Sequence, residues 1–228
     1  MYPFYYRYDN TYLLVLLGLL ISMLAQANIQ KNFAKYSKVK TQKNVKGIDA
    51  VNYILTSHNY NDIKVKRVAG SLSDYFNPIS KEIALSDTSL KDTSIAAVSV
   101  AAHECGHVIQ YKEGYIPLKV KSRVVPVVNF GSRLSMPALL LGLIFSAPLL
   151  IRIGIFLFSF MVIFQLITLP VEFDASRRAL NILQESGMLV GQENEFARDM
   201  LKSAAYTYVA ASIATALQFL RIFLLFGR

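Results

Sequence analysis

Cysteine occurs once in this chain, at Cys105, and tryptophan not at all. A single thiol excludes an intramolecular disulfide framework and agrees with a reducing compartment. Histidine is nearly as scarce, with three residues, and 15 acids face 24 lysines and arginines. The resulting net charge of +9 suits either nucleic acid or an anionic lipid surface. Charge is missing altogether from four long blocks: Tyr12–Ala27, Leu134–Ile151, Ile153–Val171 and Ser203–Leu220. A bilayer core of about 30 Å needs about 20 residues of helix, with about 17 as a lower limit. The chain therefore reads as an integral membrane protein. Membrane topology then explains the positive charge, and no nucleic-acid partner is expected.

Ala25-Gln26-Ala27 resembles a signal-peptide cleavage site. It is followed at once by Lys31, Lys35, Lys38, Lys40, Lys43 and Lys46, a basic flank that resists translocation. The first block is thus expected to be an uncleaved anchor. The second and third blocks, with only Arg152 between them, are too long for one helix and read as a hairpin turning near Pro148–Arg152. The fourth, rich in alanine, suits close packing against another helix. Sixteen of the 24 cations fall between Lys31 and Arg133, whereas the opposite side would expose little beyond Arg7, Arg152 and Arg228. The positive-inside rule places Lys31–Arg133 in the cytosol of a multi-pass plasma-membrane protein.

Two of the three histidines stand in Ala101-Ala102-His103-Glu104-Cys105-Gly106-His107-Val108-Ile109-Gln110. Composition alone would produce H-E-x-x-H here roughly once in a thousand such chains. Residues four apart share one helical face, so both imidazoles can reach one tetrahedral zinc. Glu104 is rotated by about 100° from His103, which suits a base acting on water beside the metal. The required helix is legible. Asp92-Thr93-Ser94 offers caps, Ile95–Gln110 holds no proline, and Gly114 with Pro117 ends it. Cys105 points off the metal face and reads as a small buried hydrophobe, and Gly106 as a site of close backbone approach. Upstream, Ile48–Ser57 has helical spacing with Val51, Ile54 and Leu55 inward. Ile63–Val68 and Glu82–Leu85 read as strands, Ser73–Pro78 as turn.

Hydrolytic zinc needs a third protein ligand, and the candidates are His58, Glu113, Glu172, Asp174 and Glu185. Glu113 stands ten residues after His103. An unbroken helix would carry it about 15 Å along the axis from that histidine. Glu172 closes the third apolar block, where a boundary carboxylate requires a partner. Two spans between His107 and Glu172 would return the chain to the same side of the membrane. Glu172 is therefore the expected ligand. His58, beside Asn59 and Asn61, reads as a loop residue. Tyr206, Tyr208, Arg177 and Arg178 are candidate transition-state stabilisers.

With His103-Glu104-x-x-His107 and Glu172-Phe-Asp-Ala-Ser176 in view, the chain resembles the YugP-like neutral zinc metallopeptidases of prokaryotic membranes. The resemblance spans nearly the whole sequence. It includes SIAAVSVAAHECGHVIQ, EGYIPLKVKSRVVPVVNFGSRL, PVEFDASRRAL and AAYTYVA. It implies a gluzincin-type site, with His103, His107 and Glu172 on one zinc ion and Glu104 as base. Two departures stand out. An Asp-His-Tyr-Asp-Pro type segment is replaced here by Asp74-Tyr75-Phe76-Asn77-Pro78. Ser176 also occupies the position where related membrane zinc proteases have an aspartate that orients a zinc-bound histidine. Asp174, two residues past Glu172, is expected to face elsewhere.

The expected fold is mainly α with a small α+β zincin-like catalytic domain and about four transmembrane helices, including a central hairpin. Five regions follow: an anchor at 1–30, a catalytic region at 31–133, the hairpin at 134–171, a third-ligand helix and its successor at 172–203, and an apolar helix at 204–228. The expected activity is a zinc-dependent endopeptidase acting on peptide or membrane-protein substrates. Narrow-specificity processing of membrane or prenylated proteins, and a non-catalytic scaffold, are its rivals.

Overall fold

The computed structural model describes residues 10–227; Arg7 and Arg228, assigned above to the outer side, lie outside the described residues. The chain is mainly helical, with one three-stranded sheet. Among the described residues seven helices run α1 (Tyr12–Tyr36), α2 (Gly47–Ser57), α3 (Asp87–Lys91), α4 (Ile95–Glu113), α5 (Ile116–Ile144), α6 (Pro148–Glu185) and α7 (Glu193–Phe226). Strands β1 (Lys64–Val68), β2 (Tyr75–Asn77) and β3 (Glu82–Ser86) form the sheet in the order β1-β3-β2. β3 pairs parallel to β1 and antiparallel to β2.

The residues group into two compact units. Of the described residues, one comprises 10–26, 119–169 and 207–227, and the other 27–118 and 170–206. In the first unit, α1, α5, α6 and α7 are each long and apolar enough to cross a membrane. Its outward surface is greasy: Phe130, Ile144, Leu149 and Phe156 are all at least 64% exposed. In water such a surface would be an aggregation liability, and in lipid it is solvated. Glycine permits the tight contacts inside. A Cβ on Gly154 would fall 2.6 Å from Leu139 Cγ, and one on Gly142 would fall 2.9 Å from the Ile151 nitrogen.

The expected turn at Pro148–Arg152 lies earlier, at residues 145–147, with Ser146 at positive φ. Pro148 opens α6 instead. At a first helical position its fixed φ fits, and the missing N–H costs nothing. α5 also begins at Ile116, well before Leu134, and runs through Lys119, Arg133, Pro126 and Pro137.

The second unit holds a substantial core in which Ile54, Ile83, Leu85, Ile95, Val98 and Leu183 are fully buried. α2 supplies Ala50, Val51, Ile54 and Leu55 to it, which matches the helical spacing. Two backbone hydrogen bonds, Thr41 N–H to Thr93 O (2.8 Å) and Ile95 N–H to Val39 O (2.9 Å), fix the entry to α4. The turn-rich segment Ser73–Pro78 contains β2, a short strand created by pairing Phe76 with Ile83. Its local residues favour a turn, and the partner strand overrides them.

Candidate metal centre

α4 carries the H-E-x-x-H residues, and its boundaries follow from its sequence. Ser94 is the N-cap, its hydroxyl accepting the Ala97 N–H at 3.3 Å. Gly114 ends the helix in the left-handed region at φ 70°, where glycine escapes the Cβ penalty. Nothing interrupts the helix at Gln110, so α4 reaches Glu113 unbroken. The His103 and His107 rings meet edge to face, 4.8 Å apart, as i,i+4 neighbours.

Gly106 lies between them and governs the approach of α6. A Cβ there would sit 2.4 Å from the Ala175 carbonyl oxygen. Only a bare Cα lets the two backbones come so close. Ala175 is bracketed by Glu172 and Ser176, so this contact delivers both side chains to the histidines. Glu172 is 3% exposed, and its Oε2 lies 3.4 Å from Nε2 of each histidine. One donor atom from each of the three residues falls within 4.8 Å of the others. Tetrahedral zinc with bonds of about 2.0–2.1 Å separates its ligand atoms by about 3.3–3.4 Å. The donor set fits zinc in its chemistry, and both carboxylate–imidazole separations match that spacing.

The other ring nitrogens are also engaged. His107 Nδ1 lies 3.0 Å from Gln110 Oε1. The Gln110 amide nitrogen donates to Val171 O at 2.8 Å and to Asp174 Oδ2 at 2.9 Å. This orientation leaves Oε1 as acceptor, assigns the proton to Nδ1, and frees the Nε2 lone pair for a metal. Asp174 is held in turn by Arg177 and by Arg178 Nε at 2.6 Å. Arg178 also donates to Glu113 Oε2 at 2.6 Å. Asp174 hydrogen-bonds to neither histidine and reaches His107 only through the long Gln110 amide, which crosses between helices to meet it. On the other histidine, His103 Nδ1 lies 3.1 Å from Ser176 Oγ. The hydroxyl itself occupies the orienting position.

Glu104 is 7% exposed. Burial pushes its carboxyl above the ordinary glutamate range. The neighbouring histidines oppose that shift, and the charges of Glu172 and Asp74 reinforce it. Burial disfavours charge on His107, yet the hydrogen bond and negative charge of Glu172 prevail and raise its pKa. Burial drives the Cys105 thiol far up, which makes it an inert core residue.

The remaining candidates are spread out. His58 is the exposed C-cap of α2, its Nδ1 2.9 Å from Ile54 O. Glu113 is half exposed and engaged by Arg178. Glu185 is exposed at the end of α6. Tyr206 is 45% exposed with Lys202 over its ring. Tyr208 belongs to the other compact unit, where its carbonyl accepts the Ser212 hydroxyl. Sequence reasoning missed Gln110, although a signal was present: at i+3 from His107 it shares that histidine's face.

A family described as "Putative neutral zinc metallopeptidase" matches residues 11–227. The chain belongs to that family. It is also 38% identical over 213 residues to "Putative membrane protease YugP" of Bacillus subtilis (strain 168), covering 93% of this chain and 95% of the relative. No solved structure matches. Membership in this zinc metallopeptidase family agrees with the donor set that the fold assembles.

Proposed function

We propose that the chain is a membrane-embedded zinc endopeptidase whose zincin-like catalytic region holds one zinc ion on His103, His107 and Glu172. The observation that carries the reading is the convergence of three donor atoms within 4.8 Å beside a buried glutamate on the same helix. When bound, zinc supplies Lewis acidity to the scissile carbonyl and to the attacking water. Glu104 removes the water's proton and delivers it to the leaving amine. Its raised pKa suits both halves of that transfer, since a stronger base takes the proton more readily and later remains a competent acid. Gln110 Oε1, an acceptor, fixes the tautomer of His107, and Ser176 Oγ holds the His103 ring, so both Nε2 atoms would stay turned toward a bound metal. Arg177 and Arg178 clamp Asp174 first, which leaves Tyr206 as the candidate for stabilising the developing oxyanion.

The catalytic region faces the cytoplasm of the plasma membrane in this reading. α5 and α6 cross as a hairpin that returns Glu172 to the side of His107. Cation asymmetry supports that orientation.

Glu104→Gln is the test. The variant should keep its zinc, because all three ligands remain, and lose hydrolysis of a membrane-proximal peptide by about 10²–10⁴-fold. A loss below tenfold with zinc retained would remove Glu104 from the base role.

A further inference from the structure

The second unit contains a groove of about 320 Å³ between the C-terminal part of α6 and the N-terminal part of α7. That volume lies at the lower end of small-ligand sites. Three cations line it, Arg177, Arg198 and Lys202, and none of its lining residues is acidic. Arg177 is tied to Asp174, whereas Arg198 and Lys202 make no ion pair among the described residues. Apolar side chains share the lining, among them Leu201 and the half-exposed Phe173. The groove thus offers positive charge beside grease, the complement of an anionic amphiphile.

Two features select its occupant. α6 leaves its uncharged run at Val171, and α7 enters its own at Ser203. Arg177, Arg198 and Lys202 therefore lie within about 9 Å of those boundaries along their helices, at the level where cations and aromatics meet lipid headgroups. Ser176 also lines the groove, and its hydroxyl faces His103 Nδ1. Nδ1 and Nε2 lie on opposite sides of the imidazole, and Nε2 is the atom turned to Glu172. The groove is behind His103, away from the donor atoms on which a peptide would be cleaved.

We infer that this groove binds the phosphate headgroup of an anionic phospholipid, with Arg198 and Lys202 as the cations that no carboxylate neutralises among the described residues and Phe173 against the acyl region. The lipid occupies the face of α6 next to Ser176, so it buttresses the serine that orients one metal ligand. Lipid binding at this groove is independent of the hydrolytic reading, whereas the buttressing of Ser176 rests on it.

The test uses the full chain in phosphatidylcholine nanodiscs titrated with phosphatidylglycerol, with bound lipid counted by native mass spectrometry. Arg198→Gln/Lys202→Gln should weaken phosphatidylglycerol binding by roughly 30-fold, the factor that two cations of about 1 kcal/mol each supply. Lys64→Gln/Lys91→Gln removes two exposed cations of the same unit elsewhere and should leave binding within about twofold. Zinc content and thermal midpoint report folding of both variants. Equal binding by wild type and the Arg198/Lys202 variant overturns the inference. So does unchanged lipid binding accompanied by a raised KM for acidic peptides, which would assign the groove to substrate.

Discussion

The two histidines of the candidate centre are held unequally. His107 rests on Gln110, which is fully buried and grips Val171, Asp174 and, through Asp174, two arginines. His103 rests on one serine hydroxyl. The difference teaches where rigidity comes from. One imidazole is locked by a network that joins α4 to α6, while the other depends on a contact that a water molecule could replace.

The largest effect should erase the difference. His103→Ala and His107→Ala each remove a donor atom, and both variants should lose stoichiometric zinc by elemental analysis whatever stands behind the ring. Full retention in either variant would break the proposed site. Gly106→Ala should act on both sides at once. Its methyl group meets the Ala175 carbonyl and carbon backbone, so α4 and α6 must separate. Overpacking of this kind costs about 1–3 kcal/mol. Thermal unfolding and zinc titration should show a lower midpoint together with weaker metal binding, and a variant that matches wild type in both would deny the glycine its role.

A smaller effect should separate the two sides. Gln110→Ala removes the acceptor of His107 Nδ1 and the side-chain link from α4 to Asp174, so zinc affinity should fall by about 10–100-fold. Ser176→Ala removes a single hydroxyl and should cost only a few-fold. Competition with a chromophoric chelator measures both. The reverse order would mean that the His103 side carries the rigidity.

Much of this was legible in the sequence because local chemistry decided it. Ser94 and Gly114 bound α4 by cap geometry that depends on few neighbours. The four uncharged blocks announced their helices through composition alone. What escaped depended on partners distant in the chain. β2 exists because β3 pairs with it, the start of α5 was masked by Lys119, Arg133 and two prolines, and Asp174 acts through an amide 64 residues away. Ser176, which stands where an aspartate was expected, still places its hydroxyl 3.1 Å from His103 Nδ1. Glu172 lay between these cases: no local motif names it, and topology, supported by the family resemblance, brought it to the histidines.

Zinc affinity of Glu172→Ala and Glu113→Ala, measured side by side on purified full-length protein, tests the centre most directly. Glu113 serves Arg178 from the surface, whereas Glu172 lies 3.4 Å from both imidazoles. The expected result is loss of stoichiometric zinc in Glu172→Ala and affinity within a few-fold of wild type in Glu113→Ala. Zinc stripped by Glu113→Ala and retained by Glu172→Ala would contradict the His103–His107–Glu172 site.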